Sequence, residues 1–265
     1  MMKLGEIRAQ IAARRDLPIL RQLAKASRKF LSAYDNLANW DVRINGEAAA
    51  LARVTSLLPG VVLDVGANAG QWAEMALDVI GAARALHCFE VVPATFERLQ
   101  QSLGERPNLT LNRFGLGATR REIEIFYYPS SSDRTSAYEL NDGFEKQRVK
   151  GQLVVGDEYL RDGAISRVAY LKIDVEGMEM DVLQGFDHAL RSAMIDAVQF
   201  EHGTAHVVSR HFLQDFVEFF RERDFALYRC FPSRLEPLDY RLGVDENFVG
   251  QNFVALSKTA RAVCL

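Results

Sequence analysis

From Val61 onward, short runs rich in apolar and β-branched residues alternate with stretches whose apolar positions recur three and four apart. VVLDV (61–65) predicts a buried strand, followed by a helix over about 69–80. ALHCFE (85–90) predicts a second strand, and the next helix opens at Pro93, where proline suits a first helical turn. LTLNRF (109–114) and EIEIFYY (122–128) predict two more strands. VAYLKID (168–174) leads into a helix through Leu183, and AVQFEH (197–202) into one over 212–221. ALYRCF (226–231) and QNFVALS (251–257) close the pattern. Strands alternating with helices predict an α/β domain with a mostly parallel central sheet covered on both faces. Ligands of such sheets bind outside the C-terminal strand ends.

Two segments depart from this alternation. PSSSDRTSAYELNDGFEKQRVK (129–150) is a long polar interruption, the kind of loop that serves as a lid or substrate loop. Residues 1–45 form a basic helical arm preceding a main domain over 46–265. Within residues 1–30, Lys3, Arg8, Arg14, Arg15, Arg21, Lys25, Arg28 and Lys29 face only Glu6 and Asp16, among apolar Ile7, Ile11, Leu20 and Leu23. Such an arm packs on the body or on a sister subunit as a homo-oligomer contact, or meets a membrane surface or an anionic substrate. Those readings stay open at this level.

Composition narrows the classes. A chain of 265 residues, 48% hydrophobic and 25% charged, can bury a sizeable core. Its formal net charge of −3 gives no overall pull toward nucleic acid. No apolar run is long enough for a transmembrane segment and no secretory signal is visible, so the expected location is cytoplasmic. Cys88, Cys230 and Cys264 lack any CxxC spacing, and neither a disulfide framework nor a zinc site is expected.

The candidate chemistry centres on VVLDVGANAGQW. A dinucleotide fingerprint places a second glycine where backbone amides approach a pyrophosphate; here Asn68 stands between Gly66 and Gly70, and Asp64 precedes the turn. A carboxylate there would repel phosphate and attract a cation. S-adenosylmethionine carries an ammonium and a sulfonium and no phosphate, so it suits the corner better than NAD. Gly66 and Gly70 are expected to let the backbone approach that ligand closely. Glu90, at the end of the second strand, is placed to accept hydrogen bonds from ribose hydroxyls.

LDVGANAGQW, FEVVPATFERL, VVGDEYL (154–160), YLKIDVEGMEMDVLQGF (170–186) and VQFEH (198–202) together resemble the FkbM-type methyltransferases, a branch of the class I S-adenosylmethionine-dependent enzymes. The resemblance covers about residues 45–257; the arm lies outside it, and Val91 replaces the proline usual after the acidic residue. It implies a Rossmann-like class I methyltransferase fold and O-methyl transfer to a hydroxyl of a sugar, glycan or glycosylated natural product. It also implies cofactor contacts at Asp64, Gly66, Asn68, Gly70 and Glu90, with the loop Gly115, Leu116 and Gly117 near the adenine. The rival readings are a catalytically silent cofactor-binding or scaffold protein and an NAD-dependent oxidoreductase.

Methyl transfer to a sugar hydroxyl needs alignment and a proton acceptor. Asp174, Glu201 and His202, at the ends of neighbouring strands, are the candidates, with Lys172 on the same strand face as Asp174. Glu176 is expected to cap the following helix. His206 could join Glu201 and Asp174 around a divalent ion, although no spacing demands a metal. Tyr127, Tyr128, Tyr138 and Trp72 are the expected aromatic contacts of the acceptor.

Overall fold

The computed structural model describes residues 3–140 and 143–265. It divides into two compact units, residues 1–39 and Trp40–Leu265. The first contains helices α1 (Leu4–Ala13) and α2 (Pro18–Tyr34), neither of which has a buried residue. No helix among the described residues is long and apolar enough to cross a membrane.

The second unit opens with α3 (Glu47–Leu57), β1 (Val61–Val65), α4 (Gln71–Ile80), β2 (Leu86–Phe89), α5 (Pro93–Leu103) and β3 (Leu109–Asn112). There follow β4 (Gly115–Gly117), β5 (Arg121–Tyr127), a 3-10 turn at Ser132–Arg134, β6 (Gln147–Val155), α6 (Gly156–Asp162) and β7 (Val168–Ile173). The remainder is α7 (Glu179–Gly185), α8 (Asp187–Arg191), β8 (Ile195–His202), α9 (Ala205–Ser209), α10 (Leu213–Arg221), β9 (Ala226–Phe231), β10 (Arg234–Pro237), β11 (Gln251–Leu256) and α11 (Lys258–Cys264). Among the described residues the main sheet runs β10-β9-β11-β8-β7-β1-β2-β3. Strands β3, β2, β1, β7 and β8 are parallel neighbours, whereas β11 lies antiparallel between β8 and β9. A two-layer wrap explains why the central strands read as continuous apolar runs: β7 is buried at every position. Leu63, Val65, Leu171, Ile173 and Phe200 pack with α7 and α10 on one face, while Val62, Tyr170 and Ala197 pack with α3, α4 and α11 on the other.

Two expectations need correction. Gly115, Leu116 and Gly117 form strand β4 rather than a loop; it pairs with β6 in a separate sheet ordered β4-β6-β5. Leu116 is buried, and Gly115 lies against Leu153 and Val91. The polar interruption is also shorter than its composition suggests, because residues from Gln147 belong to β6 and pair antiparallel with β5. Lys150 and Arg148 there face Glu122 and Glu124 across the ladder, which makes the charged run a solvated strand face. Asn141 and Asp142 of the interruption lie outside the described residues.

Candidate active site

The corner after β1 folds tightly because three of its amides turn toward β2. Gly66 N and Ala67 N both donate to Phe89 O at 3.0 Å, and Asn68 N donates to Glu90 Oε2 at 3.0 Å. Glu90 Oε1 accepts from Val92 N at 2.8 Å, so this carboxylate ties the β2 end to the corner. Burial pushes its pKa up to about 7, against the hydrogen bonds that favour the charged form. Packing alone already requires both glycines. A side chain at Gly66 (φ 85°) would collide with the Asp174 carbonyl, and one at Gly70 (φ 96°) would meet Leu99 and Leu103 of α5.

Period-two alternation then sorts the strand-end side chains. Asp64 and Lys172 are register partners on β1 and β7, Lys172 and Gln199 on β7 and β8, so all three share one sheet face. Asp174 and Glu201 continue that face to the C-terminal ends of β7 and β8. Lys172 Nζ lies 3.4 Å from Asp64 Oδ1 and 3.3 Å from Asp174 Oδ2, with the Trp72 ring centroid 5.7 Å away. Burial would lower the lysine's pKa, but Asp64, Asp174 and Glu47 together raise it above the usual range and keep it charged. Asp64 is therefore sealed and neutralised from within, which corrects the expectation that it confronts a ligand directly. Asp174, 36% exposed, is the member of the trio open to the strand-end cleft.

His202 falls on the opposite face. Its ring packs between His206 (4.5 Å) and Phe248 (5.0 Å) and against Phe216, and Nε2 lies 3.3 Å from His211 O. Burial, and then His206, push its pKa down to about 4. The structure thus brings Asp174, Glu201 and Lys172 together and leaves His202 in the core.

The turn after β7 is braced by a residue the sequence reading passed over. Glu179 accepts from Val175 N and Gly177 N, both at 2.9 Å, and its Oε2 lies 2.9 Å from His206 Nε2. His206 Nδ1 accepts from Gly203 N, which leaves Nε2 to carry the ring proton toward Glu179. Burial would raise the Glu179 pKa, but His206 and the backbone donors hold it below the usual range. Glu179 caps this turn; Glu176 does not, being a left-handed residue (φ 51°) outside α7. Burial, then Asp174 and Glu201, push the Glu176 carboxyl well up, and burial, then Asp174 and Glu47, do the same for Glu201. Among the described residues, no group of three or more His, Cys, Asp or Glu is arranged to hold a metal ion.

The polar segment between β5 and β6 spans this cleft. Ser132 Oγ donates to Asn68 Oδ1 at 2.9 Å, and Ser136 Oγ donates to Glu176 O at 2.5 Å. The Tyr138 ring approaches Gly177. Tyr128 and Trp72 are buried in the interior, and Tyr127 is nearly so, its hydroxyl accepting from Arg98; none of the three faces an acceptor. Trp40, absent from the sequence reading, is 63% exposed, and its ring edge lies against Gly250 next to Glu201. Its signal was an aromatic in the polar stretch NLANWDVR, ahead of the first helix of its unit.

The sheet order, the antiparallel β11 and the acid-lined strand ends define a Rossmann-like α/β methyltransferase. The family model of the methyltransferase FkbM domain matches residues 64–227, and the chain belongs to that family. It is 28% identical over 148 residues to hexuronic acid methyltransferase AglP of Haloferax volcanii, a match covering 54% of this chain and 56% of AglP. The chain thus matches little over half the length of that relative. Solved structures similar to it include the precorrin-6y C5,15-methyltransferase of Geobacter metallireducens, at TM-score 0.44 and 12% identity, covering 80% of this chain and 87% of that one. Another is Aeropyrum pernix fibrillarin in complex with S-adenosyl-L-methionine, at TM-score 0.41 and 14% identity, covering 78% and 74%.

Two buried groups carry opposite proton linkage over one pH window. Glu90 is raised from 4.5 to about 7, so its contribution to stability is complete below about 4.5 and lost as pH rises through 7. His202 is lowered from 6.5 to about 4, so its contribution is complete above about 6.5 and lost as pH falls through 4. In urea unfolding, Glu90→Gln is expected to gain up to about 3 kcal/mol relative to wild type as pH rises from 4.5 to 7.5. His202→Phe is expected to gain a similar amount as pH falls from 6.5 to 4. Differences independent of pH would place the groups in water.

Proposed function

We propose that this methyltransferase moves a methyl group from S-adenosylmethionine to a hydroxyl of a sugar or glycan. The observation that carries the cofactor reading is the state of the corner: the Gly66, Ala67 and Asn68 amides are spent on Phe89 and Glu90, which leaves fewer donors there for a diphosphate. Meanwhile Asp174, Glu176 and Glu201 converge at the strand ends, with Lys172 the cation set among them, which suits a ligand bearing positive charge. The diphosphate of NAD suits neither feature.

S-adenosylmethionine, when bound, supplies an electrophilic methyl group. Glu90 accepts the ribose hydroxyls with the lone pairs left free by its two backbone bonds, and Asn68 borders the same ligand. Asp174, oriented by Lys172, takes the proton of the acceptor hydroxyl as its oxygen bonds to the methyl carbon and the carbon–sulfur bond breaks. Glu201 lies beside this step and Trp40 offers an exposed ring to the acceptor's sugar face. AglP, named as a hexuronic acid methyltransferase, supports a carbohydrate acceptor. Gly115, Leu116 and Gly117 retain only a supporting role behind Val91.

Four measurements test this reading. S-adenosylhomocysteine is expected to raise the Tm while NAD leaves it unchanged; the reverse would overturn the cofactor assignment. Glu90→Gln is expected to weaken S-adenosylhomocysteine at least ~10-fold by calorimetry, and wild-type affinity to improve as pH rises through about 7, where the carboxyl ionises. Asp174→Asn is expected to lower kcat on methyl hexuronosides at least ~100-fold with cofactor affinity kept within ~3-fold. Trp40→Ala is expected to raise the acceptor KM about 5-fold with little change in kcat. Cofactor binding without product on any sugar acceptor would favour a silent scaffold.

A further inference from the structure

Helix α2 has two unlike faces. At 100° per residue, Ile19, Leu20, Leu23, Phe30, Leu31 and Tyr34 fall within one half of its circumference, and Arg21, Lys25, Arg28 and Lys29 within the other. Ile19, Leu23, Phe30, Leu31 and Tyr34 are each 54–71% exposed, and Phe30 and Tyr34 stack at 6.2 Å to extend one apolar surface. Helix α1 adds Leu4, Ile7 and Ile11, all exposed.

Charge decides what covers this surface. Residues 17–34 contain four cations and no acid. Residues 1–34 hold eight lysines and arginines against two acids, whereas the rest of the chain holds 24 against 33. A second copy of the arm, joined through the apolar halves, would leave the cations without anionic partners. Nucleic acid would engage the cations and leave the apolar half in water. An anionic lipid surface satisfies both halves, since the ring and aliphatic side chains enter the acyl boundary while the cations reach phosphate headgroups. At 17 residues and about 25 Å the helix lies in the interface plane.

We propose that α2 is an in-plane anchor that docks this protein on membranes rich in anionic lipid. The proposal rests on residues 3–34 and is independent of the methyl-transfer reading. The full chain, mixed with vesicles of 30% phosphatidylglycerol in phosphatidylcholine, is expected to cosediment at least ~10-fold more tightly than with phosphatidylcholine alone, and to be released by 0.5 M salt. Leu23→Asp with Phe30→Asp is expected to abolish binding, and Gln at Arg21, Lys25, Arg28 and Lys29 to remove the preference for anionic lipid. Neither set touches a buried residue, so both should keep the wild-type Tm. Three results would overturn the proposal: no vesicle binding, binding that survives the two Asp substitutions, or a dimer in sedimentation that those substitutions disperse while vesicles are ignored.

Discussion

The site depends on one buried cation. Lys172 sits between the carboxylates of Asp64 and Asp174, and without its charge two acids on adjacent parallel strands would be forced into water or into their protonated forms. With it, the ends of β1 and β7 can approach closely enough for the Gly66 turn to rest on the Asp174 carbonyl. A polar layer extends beneath: Gln199 takes a hydrogen bond from Tyr170 at 2.8 Å and gives one to Glu47 at 2.5 Å, so α3 is tied to the same sheet face. The ammonium therefore ties the two strand ends together and steadies the carboxylate that reaches the cleft.

Much of this was legible in the sequence. Continuous apolar strands and a proline at a helix start gave β1, β2, β7, β8, β9 and β11 to within about two residues, since burial on both faces and a fixed proline φ leave little choice. That Lys172 and Asp174 share a strand face followed from periodicity alone; the ion pair is what the structure adds. The same periodicity, carried one residue further along β8, separates Glu201 from His202; proximity in sequence concealed it. Glycine-rich GLG reads as a turn, and only its pairing with β6 makes it a strand. The brace formed by Glu179 and His206 joins residues 27 apart, and no local pattern announces such a contact. Trp40 escaped because an isolated exposed ring carries no period.

The corner also sharpens how nucleotide-binding α/β sheets diverge. What marks this one is where three amides point: those of Gly66, Ala67 and Asn68 donate to Phe89 O and Glu90, so the turn is fixed by the neighbouring strand.

The stretch joining β5 to β6 hangs from a seven-pair antiparallel ladder and touches the cleft through two serine hydroxyls and the Tyr138 ring. Its anchorage is thus separable from its contents. Insertions or exchanges between those two hydroxyls would reshape the rim of the cleft over evolutionary time while the ladder and the β1 corner keep their registers.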